Sequence, residues 1–281
     1  MSTLAGRTIL MSGGSRGIGL AIAVRAARDG ANVVLLAKTG EPHPKLPGTV
    51  HTAVADIERA GGHGAAVVGD VRDDADVQRA VDTAVERFGG IDIVVNNASA
   101  LDLRSTRDIG MKSYDLMQDI NARGSFLLSK LAIPHLERSD RAHILTLSPP
   151  LDLRPKWAGS YLAYTMAKYG MSLVTLGLAE ELREAGIAAN SLWPRTTIAT
   201  AAVANLLGGD AAIERARVPE IVADAAHAIL VRDSRSCTGN FYLDEDVLAE
   251  EGITELDSYR AGSGREPLET DLFLDPMEAA R

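Results

Sequence analysis

A glycine-rich turn, Gly13-Gly14-Ser15-Arg16-Gly17-Ile18-Gly19, stands directly between the short apolar run Thr8–Ser12 and a stretch, 18–28, that is apolar at helical spacing. A strand, a tight glycine turn and a helix in immediate succession restrict the chain to few folds. Glycines permit the turn and let the backbone approach a pyrophosphate, while the helix N-terminus presents unpaired N–H groups to negative charge. Gly13, Ser15, Arg16, Gly17, Ile18 and Gly19 are therefore the candidate contacts to a phosphate-bearing ligand. The same letters spell Gly13-x-Ser15-x-Gly17, the nucleophile-elbow pattern of α/β-hydrolases. Only one strand precedes Ser15, however, and none of His43, His51, His63, His135, His143 and His227 sits in an informative context, so the hydrolase reading is weak.

The remainder of the chain repeats the opening theme. Short apolar runs at 31–37, 65–69, 91–95, 143–147, 187–192 and 241–243 read as strands, and helical stretches at 49–60, 74–88, 112–136, 161–184 and 219–231 lie between them. Alternating strands and helices imply a single α/β fold, a Rossmann-type doubly wound parallel sheet with helices on both faces. The 281 residues, 46% of them hydrophobic and 24% charged, suit one such domain, expected over 1–246. Residues 247–281 form a C-terminal extension in which the apolar triplet Leu272-Phe273-Leu274 stands out, and packing as an arm and loose order are both open to it.

A net charge of −9 without a local basic patch disfavours nucleic acid as a partner. No apolar stretch reaches the roughly 20 residues of a membrane span, and no leader is visible. The single cysteine, Cys237, makes neither a disulfide nor a metal cluster, so a cytoplasmic protein without a metal site is expected. The second strand ends in Ala37-Lys38-Thr39. An acidic residue there would bind a ribose 2′-hydroxyl, whereas Lys38, with Arg16, suits a 2′-phosphate, which favours NADP(H) over NAD(H).

From about residue 7 to residue 243 the chain resembles the short-chain dehydrogenase/reductase family, motif by motif. Besides the glycine turn, Asp70-Val71 is similar to the family's adenine contact, and Asn96-Asn97-Ala98-Ser99 resembles its Asn-Asn-Ala-Gly, with Asn97 and Ala98 on the cofactor and Ser99 in place of glycine. Asn121 matches the family's helix asparagine, and Tyr164-Thr-Met-Ala-Lys168 its Tyr-x-x-x-Lys. Spacing of four puts Tyr164 and Lys168 on one helix face, where an ammonium near a phenol favours the phenolate. The resemblance implies that Tyr164 is the acid/base, that Lys168 also binds the nicotinamide ribose, and that Asn121 holds a water in a proton relay. Pro194 and the Ile198-Ala199-Thr200 segment match cofactor contacts after the sixth strand, with Arg195 in place of a glycine.

The family's catalytic serine has no clear counterpart. Aligned from the strand it falls on Pro149, and Ser148 lies 16 residues before Tyr164, so either Ser148 acts through a reshaped loop or the site works without it. Ser148-Pro149-Pro150, the proline-rich insert at 41–48 and Leu192-Trp193-Pro194-Arg195 resemble a hydroxysteroid dehydrogenase-like subgroup of the family. The expected activity is NADP(H)-dependent interconversion of a ketone or aldehyde and an alcohol, with a noncatalytic NADP(H)-binding sensor or scaffold as the alternative. An apolar segment at 198–217 suits a lid over a lipid-like substrate, and 112–136 and 161–184 resemble the interface helices of family homodimers and homotetramers.

Overall fold

A computed structural model describes residues 3–42, 47–206, 209–264 and 266–276 of the protein. Seven strands form one all-parallel sheet in the order β3-β2-β1-β4-β5-β6-β7. They are β1 (Thr8–Ser12), β2 (Asn32–Ala37), β3 (His63–Val68), β4 (Ile93–Asn96), β5 (His143–Thr146), β6 (Ala188–Trp193) and β7 (Phe241–Leu243). The helices are α1 (Gly17–Ala27), α2 (Val50–Arg59), α3 (Asp74–Phe88), α4 (Met111–Met117), α5 (Gly124–Leu136), α6 (Pro155–Ser160), α7 (Leu162–Glu181), α8 (Ala201–Leu206), α9 (Asp210–Glu214), α10 (Glu220–Leu230) and α11 (Asp244–Glu250).

Strand side chains alternate between two buried layers, which is why the strands read as unbroken apolar runs. Ile9, Met11, Val33 and Leu35 pack with Ile22, Ala26, Val222 and Ile229 of α1 and α10 on one face. Leu10, Val34 and Leu36 pack with Val77, Val81, Leu128 and Leu178 of α3, α5 and α7 on the other. The helix expected at 112–136 is continuous but carries a distortion. A π-helical turn, Gln118–Arg123, separates α4 from α5 and contains Asn121, a distortion of the kind often found at functional sites.

The chain reverses its winding direction between β1 and β4, so ligands are expected beyond the C-terminal ends of these two strands. Residues 251–264 and 266–276 turn back across the sheet's C-terminal end. Thr197 N–H donates to Glu269 O at 2.9 Å, Asp271 N–H to Arg195 O at 3.0 Å and Trp193 Nε1–H to Leu272 O at 2.9 Å. The tip of the proline-rich insert, 43–46, lies outside the described residues, but its far end is clamped by Arg16, which donates to Pro47 O and Gly48 O at 2.8 and 2.9 Å.

Candidate active site

The cleft at the switch point has a volume of about 1080 Å³ and is lined by Gly13, Ser15, Arg16, Gly17, Ile18, Lys38, Asp70, Val71, Asn97, Ala98, Ser99 and Thr200, among others. Gly13 and Gly17 adopt left-handed backbone angles, φ +74° and +57°, and a Cβ on Gly13 would lie 2.8 Å from Ala98 Cα. Gly19 does not line the cleft. It lets helix meet strand: a Cβ there would stand 2.5 Å from Asn97 Nδ2, which donates to Gly13 O at 2.8 Å. Ser12 Oγ accepts from the N–H groups of Asn97 and Ala98 at 3.2 and 3.1 Å, tying the ends of β1 and β4 together. Arg16 starts α1 without a capping side chain, leaving first-turn N–H groups for an anionic ligand. The cradle that side chains would fill and the uncapped helix end together fit the pyrophosphate of a dinucleotide.

Farther along the cleft, Lys38 Nζ lies 3.1 Å from Asp70 Oδ2, and Arg72 grips both oxygens of the same carboxylate at 2.6 to 3.0 Å. The Arg72 and Lys38 bonds hold the Asp70 carboxyl far below its ordinary range.

Tyr164 and Lys168 share one face of α7 and are both buried, at 5% and 3% exposure, outside the cleft lining. The ammonium donates to Leu147 O at 2.9 Å and lies 5.1 Å from the centre of the Trp193 ring, so its recorded partners differ from the phenol that spacing suggested. Burial pulls Lys168 down to about 7, opposed by the Asp271 carboxylate. Burial pushes the Tyr164 phenol well up, and Asp271 adds to this, while a hydrogen bond from Ser99 lowers it. Phe273 stacks on Tyr164 at 5.8 Å and also touches the rings of Tyr169 and Trp193, at 5.5 and 5.9 Å.

Asn121 is wholly buried in the π turn, and its carboxamide is spent on one neighbour. Its Oδ1 accepts from Ala100 N–H at 2.8 Å and its Nδ2 donates to Ala100 O at 3.1 Å. Pro194 and Ile198 do not line the cleft; Ile198 is buried and its β-bridge to Arg217 closes the loop that carries Thr200 to the glycine turn.

Ser148 lies in the interior. It is wholly buried, and its Oγ shares a 2.8 Å hydrogen bond with Ser191 Oγ, which donates to Thr175 Oγ1 at 3.1 Å. The hydroxyl is committed to the interior between β6 and α7, and Ser172, donating to Pro149 O at 2.6 Å, fixes the Pro-Pro segment there. In this arrangement the Ser148 hydroxyl does not line the cleft. Sequence reasoning missed Asp271 and Phe273, whose only signal was an apolar triplet in an otherwise acidic tail, and noted Ser99 only as a departure from the family motif.

A family model described as short chain dehydrogenase matches residues 7–210. Hydroxysteroid dehydrogenase-like protein 2 of Danio rerio is 56% identical over 272 residues, covering 97% of this chain but only 65% of that protein. The Xenopus laevis protein of the same name is 54% identical over 97% of this chain, which spans 64% of its length. A short chain dehydrogenase structure from Mycobacterium thermoresistibile superposes with a TM-score of 0.92 at 56% identity, covering 98% of this chain and 97% of that one. NADH-dependent reductase A1-R′, solved in complex with NAD, superposes with a TM-score of 0.68 at 27% identity over 85% of this chain and 95% of its own. The parallel sheet, the glycine cleft at its switch point and these likenesses together make the chain a member of the short-chain dehydrogenase/reductase family of oxidoreductases.

Proposed function

We propose that the protein is an NADP(H)-dependent oxidoreductase that interconverts a ketone or aldehyde and an alcohol, with Tyr164 as acid/base. The observation that carries this reading is the cleft that fits a dinucleotide: it is lined by Ser99, whose side chain acts on the Tyr164 phenol and lowers it against the effect of burial. When bound, the dinucleotide supplies or accepts the hydride. The chain does the rest. The glycine turn and the first turn of α1 hold the phosphates. Lys38 and Arg16, both on the cleft lining, answer the 2′-phosphate. In the reduction direction the Tyr164 hydroxyl gives its proton to the oxygen that receives the carbonyl electron pair. Lys168 is the buried cation on the same helix face that favours the resulting phenolate. Asn121 acts as a positioning residue, clamping Ala100 next to Ser99.

The cofactor, the catalytic pair and the substrate class are proposals, and so are a cytoplasmic setting and a homodimer or homotetramer. Exposed Phe126 on α5 and Met166, Leu173 and Leu176 on α7 are the apolar side chains such an assembly would cover. Among the described residues no helix is long and apolar enough to cross a membrane. A second reading, a noncatalytic NADP(H)-binding sensor or scaffold, is favoured by one observation: Phe273 covers Tyr164, which is only 5% exposed. Fluorescence titration with NADPH and NADH, alongside NADPH consumption on a panel of ketones and aldehydes, separates the two. NADPH preference with turnover supports the oxidoreductase, binding without turnover the sensor, and absence of binding refutes both.

A further inference from the structure

With Pro149 where the family carries its serine, and Ser148 turned into the interior, the site lacks the hydroxyl that would hold a carbonyl oxygen beside the tyrosine. Three hydroxyls around α7 are already committed. Ser148 Oγ is bonded to Ser191, Ser172 Oγ donates to Pro149 O, and Thr165 Oγ1 donates to Trp157 O at 3.0 Å. Ser99 is different. It is exposed, it lines the dinucleotide cleft, its Oγ makes only a 3.5 Å contact with Ala100 O, and its side chain lowers the Tyr164 phenol. The segment that carries it is fixed: Ser12 Oγ holds the N–H groups of Asn97 and Ala98 before it, and the Asn121 carboxamide holds both backbone polar groups of Ala100 after it. A glycine, usual at this position in the family, would bring no donor.

We infer that Ser99 is a catalytic residue that donates a hydrogen bond to the substrate carbonyl oxygen beside Tyr164, doing from the end of β4 what the missing serine would do from the end of β5. This rests on the proposed oxidoreductase reading. In reduction the carbonyl carbon gains hydride from the dihydronicotinamide, the carbonyl π pair moves onto oxygen, and that oxygen takes the Tyr164 proton. Ser99 transfers nothing. Its O–H turns to the substrate oxygen and strengthens its bond there as charge develops. Loss of one such donor lowers kcat by about 10²- to 10³-fold.

The test uses acetophenone and NADPH with wild type, Ser99→Ala, Ser99→Gly and Ser99→Thr. Ser99→Ala and Ser99→Gly are expected to lose about a hundredfold or more in kcat with NADPH affinity within about threefold of wild type, and Ser99→Thr to recover most of that loss. The pH profile of the alanine variant should shift to the alkaline side, because the bond that lowers the Tyr164 phenol is gone. A second readout needs no turnover: with NADP⁺ present, the infrared stretch of bound ¹³C=O acetophenone is expected at lower frequency in wild type than in Ser99→Ala. A wild-type kcat and an unmoved stretch in Ser99→Ala would overturn the role of Ser99 while leaving the oxidoreductase reading intact. A full rate in Tyr164→Phe would overturn that reading, and the inference with it.

Discussion

Replacing Phe273 by alanine tests whether the C-terminal arm is held over the active site by its one buried aromatic. The ring is 4% exposed and packs on Tyr164, Tyr169 and Trp193 at 5.5 to 5.9 Å. Truncating a ring so buried costs about 3 to 5 kcal/mol. The arm is otherwise attached by backbone bonds, by Leu272 and Leu274 in the same apolar cluster and by exposed ion pairs of Asp275 with Arg154 and Lys156, so the cost should appear as local opening rather than global unfolding. A cost of about 3 kcal/mol corresponds to roughly a hundredfold faster exchange at the amides of Thr197, Glu269 and Asp271, with Val94 and Val95 in β4 unchanged. Backbone angle adds a second expectation. Phe273 is held at φ 69°, where a side chain costs about 1 to 2 kcal/mol. Phe273→Gly should therefore open less than Phe273→Ala, the reverse of the usual ranking. Hydrogen exchange read by mass spectrometry or NMR measures both, and unchanged protection of Glu269 and Asp271 in the alanine variant would refute the reasoning.

Three further outcomes follow from the site. Lys38→Ala should weaken NADPH by about five- to tenfold, roughly 1 kcal/mol, and leave NADH nearly unchanged in parallel titrations; equal losses for both would remove Lys38 from the 2′-phosphate. Gly19→Ala should abolish dinucleotide binding in the same titration, because its Cβ would meet Asn97 Nδ2 at 2.5 Å and Gly13 O at 2.9 Å, and retained affinity would show that the turn can yield. Burial pushes both Asp244 and Asp271 up from 3.8 to about 7, so between about pH 4 and 7 the folded protein holds protons that the unfolded chain has released, and stability falls as pH rises through that window. Urea midpoints across this range should decline less steeply in Asp271→Asn than in wild type; identical slopes would contradict the placement of that carboxyl.

The periodicity of the sequence was sufficient for the sheet because its strands are buried on both faces. Thr8–Ser12, Phe241–Leu243 and Asp74–Phe88 fall where their apolar patterns place them, with Asp73 capping the last through the N–H groups of Ala75 and Asp76. The π turn at Gln118–Arg123 was not legible, since one extra residue per turn leaves an apolar pattern almost unchanged over so short a span. Nor was the direction of the Ser148 hydroxyl, which depends on what β6 and α7 bring up to it. The arm over Tyr164 lay beyond local pattern altogether: Phe273 meets its partners across tens to a hundred residues, and local spacing carries no such information. Glycine spacing and the Tyr164/Lys168 interval were legible because their geometry is local to one turn and one helix.

The central claim is hydride transfer between a nicotinamide and a carbonyl carbon under the control of Tyr164. Incubating the protein with NADPH deuterated at the transferable position and a panel of ketones and aldehydes, then weighing the alcohols by mass spectrometry, reads that transfer directly. The account predicts an alcohol one mass unit heavier with wild type and a loss of at least a hundredfold in its formation with Tyr164→Phe at unchanged NADPH affinity. NADPH bound tightly with no deuterium in any product, or the same deuterium yield from Tyr164→Phe, would contradict it.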